Sequence, residues 1–289
     1  MVERAAGGPG PESLPPVRLV ATDLDGTLLR PDGTLSERTI NAVRVARDAG
    51  LHVIPITGRP PRVTWDVAKE AGLGPLGVCS NGAAVVDIST MEVIELQTIA
   101  ADVAAGFVMM VREVFPGSVF AVEEMGTFTH ESGFMEPHWN WEEGTEQVDD
   151  IMEAVTNDCI KLVVRRPGWT AAMLLARLRD QVAETAQVTS SGLDWVEMAA
   201  PGISKAHAVD RVCDRLGVVA GEVVAIGDNH NDLTVLAWAG RAAAPANAIP
   251  EVLAIVEEIL PSNAEDGVAH LLESLAARAG AAGQRAGND

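Results

Sequence analysis

The sequence predicts an α/β fold, a mostly parallel sheet covered by helices on both faces, with an α+β domain inserted into it. Three observations predict this. Short apolar runs alternate with helical patterns toward both ends of the chain. Polar and acidic residues gather directly after those runs, at the edge where open α/β sheets bind ligands. The middle of the chain breaks the rhythm and becomes β-rich, with two helical stretches.

The elements follow in order. Val17 to Thr22 reads as a buried strand that runs into Asp23. Ser36 to Gly50 reads as a helix: Ser36 can cap it, Ile40, Val43 and Ala46 form an apolar stripe, and Gly50 ends it. His52 to Ile56 is a second strand ending at Thr57-Gly58-Arg59, and Pro60 and Pro61 sit where a helix can open. Gly77 to Cys79 is a short third strand. From Val85 to about Met198, Ile94 to Leu96, Val119 to Val122, Thr127 to Thr129, Ile160 to Val164 and Trp195 to Met198 read as strands. Ala100 to Phe115 and Trp169 to Ala186 read as helices. The α/β pattern then returns. Lys205 to Leu216 is helical, Val223 to Ile226 is a strand ending in Gly227-Asp228, Asp232 to Ala239 is helical and Ala242 to Ala244 is a last strand. The expected division is a core of residues 17–83 and 199–275 with an insertion at 84–198. Residues 1–16, rich in Gly and Pro, and 276–289, small and polar, are expected to be loose tails.

Composition narrows the function. At 289 residues the chain has room for two domains of about 150 residues each. Lys and Arg number 21 against 41 Asp and Glu, and the net charge of −20 argues against nucleic acid or an anionic membrane as partner. Cys79, Cys159 and Cys213 are scattered, with no CxxC pair, so neither a disulfide framework nor a zinc site is suggested. A reduced, cytoplasmic location is expected. The first sixteen residues lack the apolar stretch of a secretory signal. No apolar run approaches the roughly 18 residues of a membrane span.

Four pieces carry chemistry. Asp23-Leu24-Asp25-Gly26-Thr27 places two carboxylates two residues apart after a buried strand, and Gly26 allows a tight path. Close carboxylates repel unless a proton or cation intervenes, so one suits a nucleophile or metal ligand and the other a proton donor. Thr57-Gly58-Arg59 offers a hydroxyl and backbone N–H groups that can hold phosphate oxygens; taken alone it serves equally as a capped turn. Lys205, near the start of a helix, sits against the helix dipole, so it has an anionic partner or is simply solvated. Gly227-Asp228-Asn229-His230-Asn231-Asp232 supplies hard oxygen ligands that suit Mg²⁺ better than zinc, with His230 a loop residue rather than a ligand.

Together, DLDGTLL, ITGRP, the lysine of ISK and GDNHND resemble the haloacid-dehalogenase-like phosphatases, in that family's order and across about half the chain. NGAAV at 81–85 and AEDGVAHLL at 264–272 are similar to its Cof-type subfamily. The stretch between Asp23 and Thr57 is too short for a domain, whereas that between Thr57 and Lys205 accommodates the α+β cap found there in Cof-type proteins. The resemblance implies a Rossmann-like core and a set of roles. Asp23 would attack phosphorus, and Asp25 would serve as acid and then base. Asp23, the backbone carbonyl of Asp25, and Asp228 would bind Mg²⁺. Leu24, Thr57, Gly58, Lys205 and Asn231 would hold the phosphoryl group, and Asp232 would orient Lys205 or the metal shell.

The expected activity is therefore hydrolysis of a small-molecule phosphate monoester, such as a sugar phosphate, through a phosphoaspartate. A phosphotransferase or mutase using the same intermediate is the alternative, as is a non-catalytic regulator that binds a phosphate ligand. The chain departs from its Cof-type relatives at Lys205-Ala206, at Val235-Leu236 and before Asn247, none of them catalytic positions. In the insertion, Phe134 to Trp141 (FMEPHWNW) is the first choice for a loop that meets the substrate's organic part, and Glu123 and Glu124 have no assigned role.

Overall fold

The computed structural model describes residues 15–135, 144–182 and 186–286. In chain order the first elements are β1 (Leu19–Thr22), α1 (Glu37–Asp48), β2 (His52–Pro55), α2 (Pro61–Ala71), β3 (Leu76–Cys79), β4 (Ala84–Asp87) and β5 (Glu92–Leu96). The middle of the chain forms α3 (Ala101–Val114), β6 (Val119–Glu123), β7 (Phe128–Glu131), β8 (Thr145–Val148), β9 (Lys161–Arg165), α4 (Ala171–Val182), β10 (Gln187–Thr189) and β11 (Val196–Ala199). The last elements are α5 (Lys205–Leu216), β12 (Val223–Ile226), α6 (Leu233–Trp238), β13 (Arg241–Pro245), α7 (Pro250–Leu253), β14 (Glu258–Leu260) and α8 (Gly267–Ala286).

The core is a five-stranded parallel sheet in the order β14-β13-β12-β1-β2. Its central strands, LVAT and VVAI, are buried throughout because helices cover both faces. Alternation sends Val20, Val224 and Ile226 into the layer with α1, α2 and α8. It sends Leu19, Ala21, Val223 and Ala225 into the layer with α5 and α6, where Val235 and Leu236 are also buried. The helix ends follow local chemistry: Ser36 and Ser204 accept from backbone N–H groups at the starts of α1 and α5, and left-handed Gly72 and Gly217 close α2 and α5.

The inserted domain is a six-stranded sheet in the order β10-β11-β9-β6-β7-β8, antiparallel except for β7 beside β8. Its outer face packs on α3 and α4 through Phe120, Val122, Leu162, Val164, Val196 and Met198. The intervening residues Glu123, Lys161, Val163 and Glu197 lie on the opposite face, which is buried against the core.

Three expectations change. The insertion was expected to start at residue 84, yet β4 and β5 pair with β3 in a separate antiparallel sheet, and Glu95 is ion-paired to Arg211 and Arg215 of α5. The turn at Asn81-Gly82 folds these strands back on β3, so the six-stranded sheet begins only after α3. The C-terminal stretch expected to be loose continues α8 to Ala286, with Ala276 buried beside Leu272; its alanines favour helix. At the other end, residues 1–14 lie outside the described residues, and the Pro15 carbonyl accepts from Arg241. The pattern also missed β4, which follows β3 after a turn of only four residues, and β8, β10 and β14, which are short edge strands with little apolar alternation. No helix among the described residues is long and apolar enough to cross a membrane.

Leu272 is fully buried between α8 and the sheet. Leu272→Ala is expected to lower the unfolding free energy by about 2–5 kcal/mol in denaturant titration.

Candidate active site

The sheet brings the motif residues to one edge. Asp23 follows β1, Thr57 follows β2 by two residues, and Asp228 follows β12 by two; neighbouring parallel strands therefore end with these groups side by side. After Asp23 the chain makes a tight turn over residues 24–28, closed by the Leu29 N–H donating to the Leu24 carbonyl. Gly26 has φ +78°, and a Cβ there would lie 2.5 Å from Asp228 Oδ2, so glycine is required both by conformation and by close approach. Asn247 donates to the Gly26 carbonyl at 2.8 Å and accepts from the Asn263 N–H, tying this turn to the end of the sheet.

Lys205 stands behind these carboxylates. Its ammonium is fully buried and donates to Asp23 Oδ1 at 2.7 Å and to Asp232 Oδ1 at 2.6 Å. Burial alone would lower its pKa, but the two carboxylates hold it above its ordinary value. Asp232 spends its other oxygen on the N–H groups of Asp228 and Asn229, both at 3.0 Å, so it shapes the loop as well as anchoring the lysine. Asp228 accepts from the Thr27 hydroxyl at 2.6 Å.

The cluster is short of positive charge. Burial, added to by Asp232, Asp228 and Asp25, pushes the Asp23 carboxyl well above its usual range against the pull of Lys205. Burial and Asp232 push Asp228 to about 7, opposed by Thr27 and Lys205. Carboxylate oxygens of Asp23, Asp228 and Asp232 lie within 4.8 Å of one another, and Lys205 is the one buried ammonium bonded to them among the described residues. An all-oxygen donor set with unbalanced negative charge fits a hard divalent cation such as Mg²⁺. Asp232 is already committed to Lys205 and two N–H groups, which leaves Asp23 and Asp228 as the side chains suited to hold it.

Asp25 stands differently. Its carboxylate is half exposed and lies in a two-point pair with Arg59, at 2.7 and 2.6 Å, rather than in the buried cluster. Any share it takes in holding a cation therefore falls to its backbone. Leu24, Thr57, Lys205 and Asp232 are fully buried. The Leu24 side chain belongs to the core, so a binding role is left to its backbone. Asp23, Asp25, Gly58, Asp228 and Asn231 line a cavity of about 740 Å³ between the core and the inserted domain. His230 is not part of the carboxylate cluster.

Sequence reasoning missed the far wall of that cavity. Glu123, left without a role, lines it and pairs with Arg62 of α2; burial, opposed by Arg62, raises its pKa. Lys161, Glu197 and Trp195 line it too. Of the FMEPHWNW loop, Phe134 is buried and stacks on Trp195 at 5.6 Å, while 136–141 lie outside the described residues. The turn between β10 and β11 meets the core: a Cβ on Gly58 would be 3.4 Å from Ser191 Cβ, and one on Gly192 would be 2.8 Å from Asn229 Nδ2. Ser-Ser-Gly at 190–192 was the available signal, and it reads as an ordinary hairpin turn.

Gly26→Ala tests the geometry. It is expected to cost about 1–2 kcal/mol from the left-handed backbone alone. It should also displace Asp228, so a rise in thermal midpoint on adding Mg²⁺, expected for wild type, should be lost.

The sequence profile of the haloacid dehalogenase-like hydrolases matches residues 20–272. The 5-amino-6-(5-phospho-D-ribitylamino)uracil phosphatase YitU of Bacillus subtilis is 28% identical over 260 residues, covering 88% of this chain and 96% of the relative. The pyridoxal phosphate phosphatase YbhA of Escherichia coli is 26% identical over 269 residues, covering 89% and 98%. A haloacid dehalogenase-like hydrolase of Bacillus subtilis shares the fold, with TM-score 0.78, 22% identity, and coverage of 89% of this chain and 99% of its own. With its parallel core, its inserted cap and the family's profile across nearly all of both, the chain belongs to the haloacid dehalogenase-like hydrolases and is a phosphoric monoester hydrolase.

Proposed function

We propose that this protein is a Mg²⁺-dependent phosphatase that hydrolyses a small organic phosphate monoester through a phosphoaspartate on Asp23. The observation that carries the proposal is the buried cluster of Asp23, Asp228 and Asp232 around Lys205, opening on a cavity roofed by the cap. Retention of Asp23, Asp25, Lys205 and Asp228 supports an enzyme over a ligand sensor. The relatives' substrates, a ribitylamino-uracil phosphate and pyridoxal phosphate, support a small metabolite. Free, buried cysteines at 79, 159 and 213 support a reducing, cytoplasmic setting.

In the first step an Asp23 oxygen bonds to phosphorus while the ester P–O bond breaks, and the leaving oxygen takes the proton of Asp25. In the second, water attacks phosphorus, Asp25 takes its proton, and the Asp23 carboxylate departs from inorganic phosphate. Splitting one displacement into two lowers each barrier. Lys205 orients Asp23 and opposes the upward push of burial on its carboxyl, and Thr57, the Gly58 N–H and Asn231 would hold equatorial oxygens on which charge is spread. Bound through Asp23, Asp228 and the Asp25 backbone, Mg²⁺ would supply the positive charge that offsets repulsion between an anionic nucleophile and a phosphate dianion.

Phosphate release from p-nitrophenyl phosphate is expected to require Mg²⁺ and to stop in excess EDTA; full turnover after verified metal removal would overturn the metal assignment. Asp23→Asn should abolish the acid-stable phosphoenzyme. Asp25→Asn should slow turnover by about 10²–10⁴, the usual worth of general acid–base catalysis. Near-normal turnover by Asp23→Asn, with deamidation excluded by mass spectrometry, would refute its role as nucleophile.

A further inference from the structure

The cap carries a buried ion pair that belongs to neither the carboxylate cluster nor the cap's own core. Lys161 of β9 and Glu197 of β11 have side chains only 7% and 3% exposed and meet at 2.8 Å. Burial would raise the Glu197 carboxyl, but Lys161, with hydrogen bonds from Asn81 and Trp195, holds it below its ordinary value. Each member reaches across to the core. Lys161 Nζ donates to the Gly58 carbonyl at 3.0 Å, and Glu197 Oε2 accepts from Asn81 Nδ2 at 2.6 Å.

Both core contacts lead to phosphate-binding groups. The Gly58 carbonyl shares its peptide plane with the Arg59 N–H, which donates to Thr57 Oγ1 at 3.0 Å. Fixing one end of that peptide fixes the other, and the Thr57 hydroxyl, already accepting, keeps its proton for an anion. On the second branch, Glu197 selects the orientation of the Asn81 carboxamide: its nitrogen faces Glu197, so its oxygen accepts from Asn231 Nδ2 at 3.0 Å. Asn81 and its neighbour Ser80 have φ of +58° and +50°, a strained pair held by N–H bonds to the carbonyls of Thr57 and Arg59. Loops 57–59 and 80–81 thus form one unit, touched by the cap at two points.

Resting on the phosphatase reading above, we propose that Lys161 and Glu197 are positioning residues that make the phosphate-binding loops competent when the cap sits on the core. Lys161 sets the Gly58–Arg59 peptide, and Glu197 sets Asn231 through Asn81. The pair enters the interface already neutralised, which avoids burying an uncompensated charge as the cap docks. When the cap lifts, the pair stays together on its sheet while the loops lose both anchors. Phosphate affinity is thereby coupled to cap position.

The test uses the full-length protein with Mg²⁺. Binding of inorganic phosphate is measured by calorimetry, KM and kcat with p-nitrophenyl phosphate, and folding by thermal midpoint. Lys161→Met is expected to weaken phosphate binding at least about tenfold, the worth of a lost charge-assisted hydrogen bond. Lys161→Arg should recover part of that loss. Asn81→Gly, which suits a positive φ and removes only the relay, covers the case in which Lys161→Met does not fold; it should weaken phosphate binding at least about fivefold. Leu162→Ala, on the outer face of β9, loosens the cap without touching the pair and should leave phosphate affinity unchanged. Normal phosphate affinity in Asn81→Gly or folded Lys161→Met, or an equal loss in Leu162→Ala, would overturn the proposal. Wild type that neither binds phosphate nor releases it from p-nitrophenyl phosphate would instead refute the function on which the proposal rests.

Discussion

One buried ammonium holds the catalytic edge together. Lys205 is the first residue of α5, where the helix dipole disfavours a cation, and it has no exposure to water. It persists there because Asp23 and Asp232 close on it from two different strand ends. Asp232 in turn fixes the Asp228 loop through two N–H groups, and Asp228 holds Thr27 in the turn after β1. Without the lysine, three carboxylates would share a dry site. The positions of Asp23, the loop after β12 and the turn at Gly26 all descend from that one charge.

Lys205 balances only part of the negative charge, and what remains fits a divalent cation. A fully neutralised cluster would be more stable and would have no use for a divalent cation. Burial first, and the neighbouring carboxylates after it, raise the pKa values of Asp23 and Asp228. Such an arrangement sacrifices stability of the metal-free protein and suits an oxygen-preferring cation.

The core and its motifs were legible in the sequence because their logic is local. A strand buried on both faces writes an unbroken apolar run, and the residues after it fall at the sheet edge by covalent geometry; Asp23, Thr57 and Asp228 need nothing more. The cap wall was illegible for the opposite reason. Glu123 closes β6 (VFAVE), Lys161 opens β9 (KLVVR) and Glu197 is the single charged residue of β11 (VEMA), positions that read as the wet rim of a strand face. Here that face is closed by the core, so Glu123, Lys161 and Glu197 read as surface residues and are buried ones. Their partners Arg62, Gly58 and Asn81 lie far away in sequence, and no periodicity links them. β4 was missed and β5 was assigned to the insertion because hairpin pairing back to β3 depends on the strained turn at Ser80-Asn81, which no apolar pattern announces.

These two kinds of legibility correspond to two kinds of chemistry. Groups that act on phosphorus are the same for any ester, so they can be fixed at strand ends by backbone geometry. Recognition of the leaving group needs a surface that can vary without disturbing them, and a sheet face contributed by a separate domain is suited to that need. That surface must still be linked to the catalytic edge, or ester binding and phosphoryl binding would be independent events. The ion pairs Arg62–Glu123 and Lys161–Glu197 both lie at that boundary, and each is neutral as a unit. Paired charges hold the cap in register with directional bonds while adding no net field beside a site whose function depends on its own unbalanced charge.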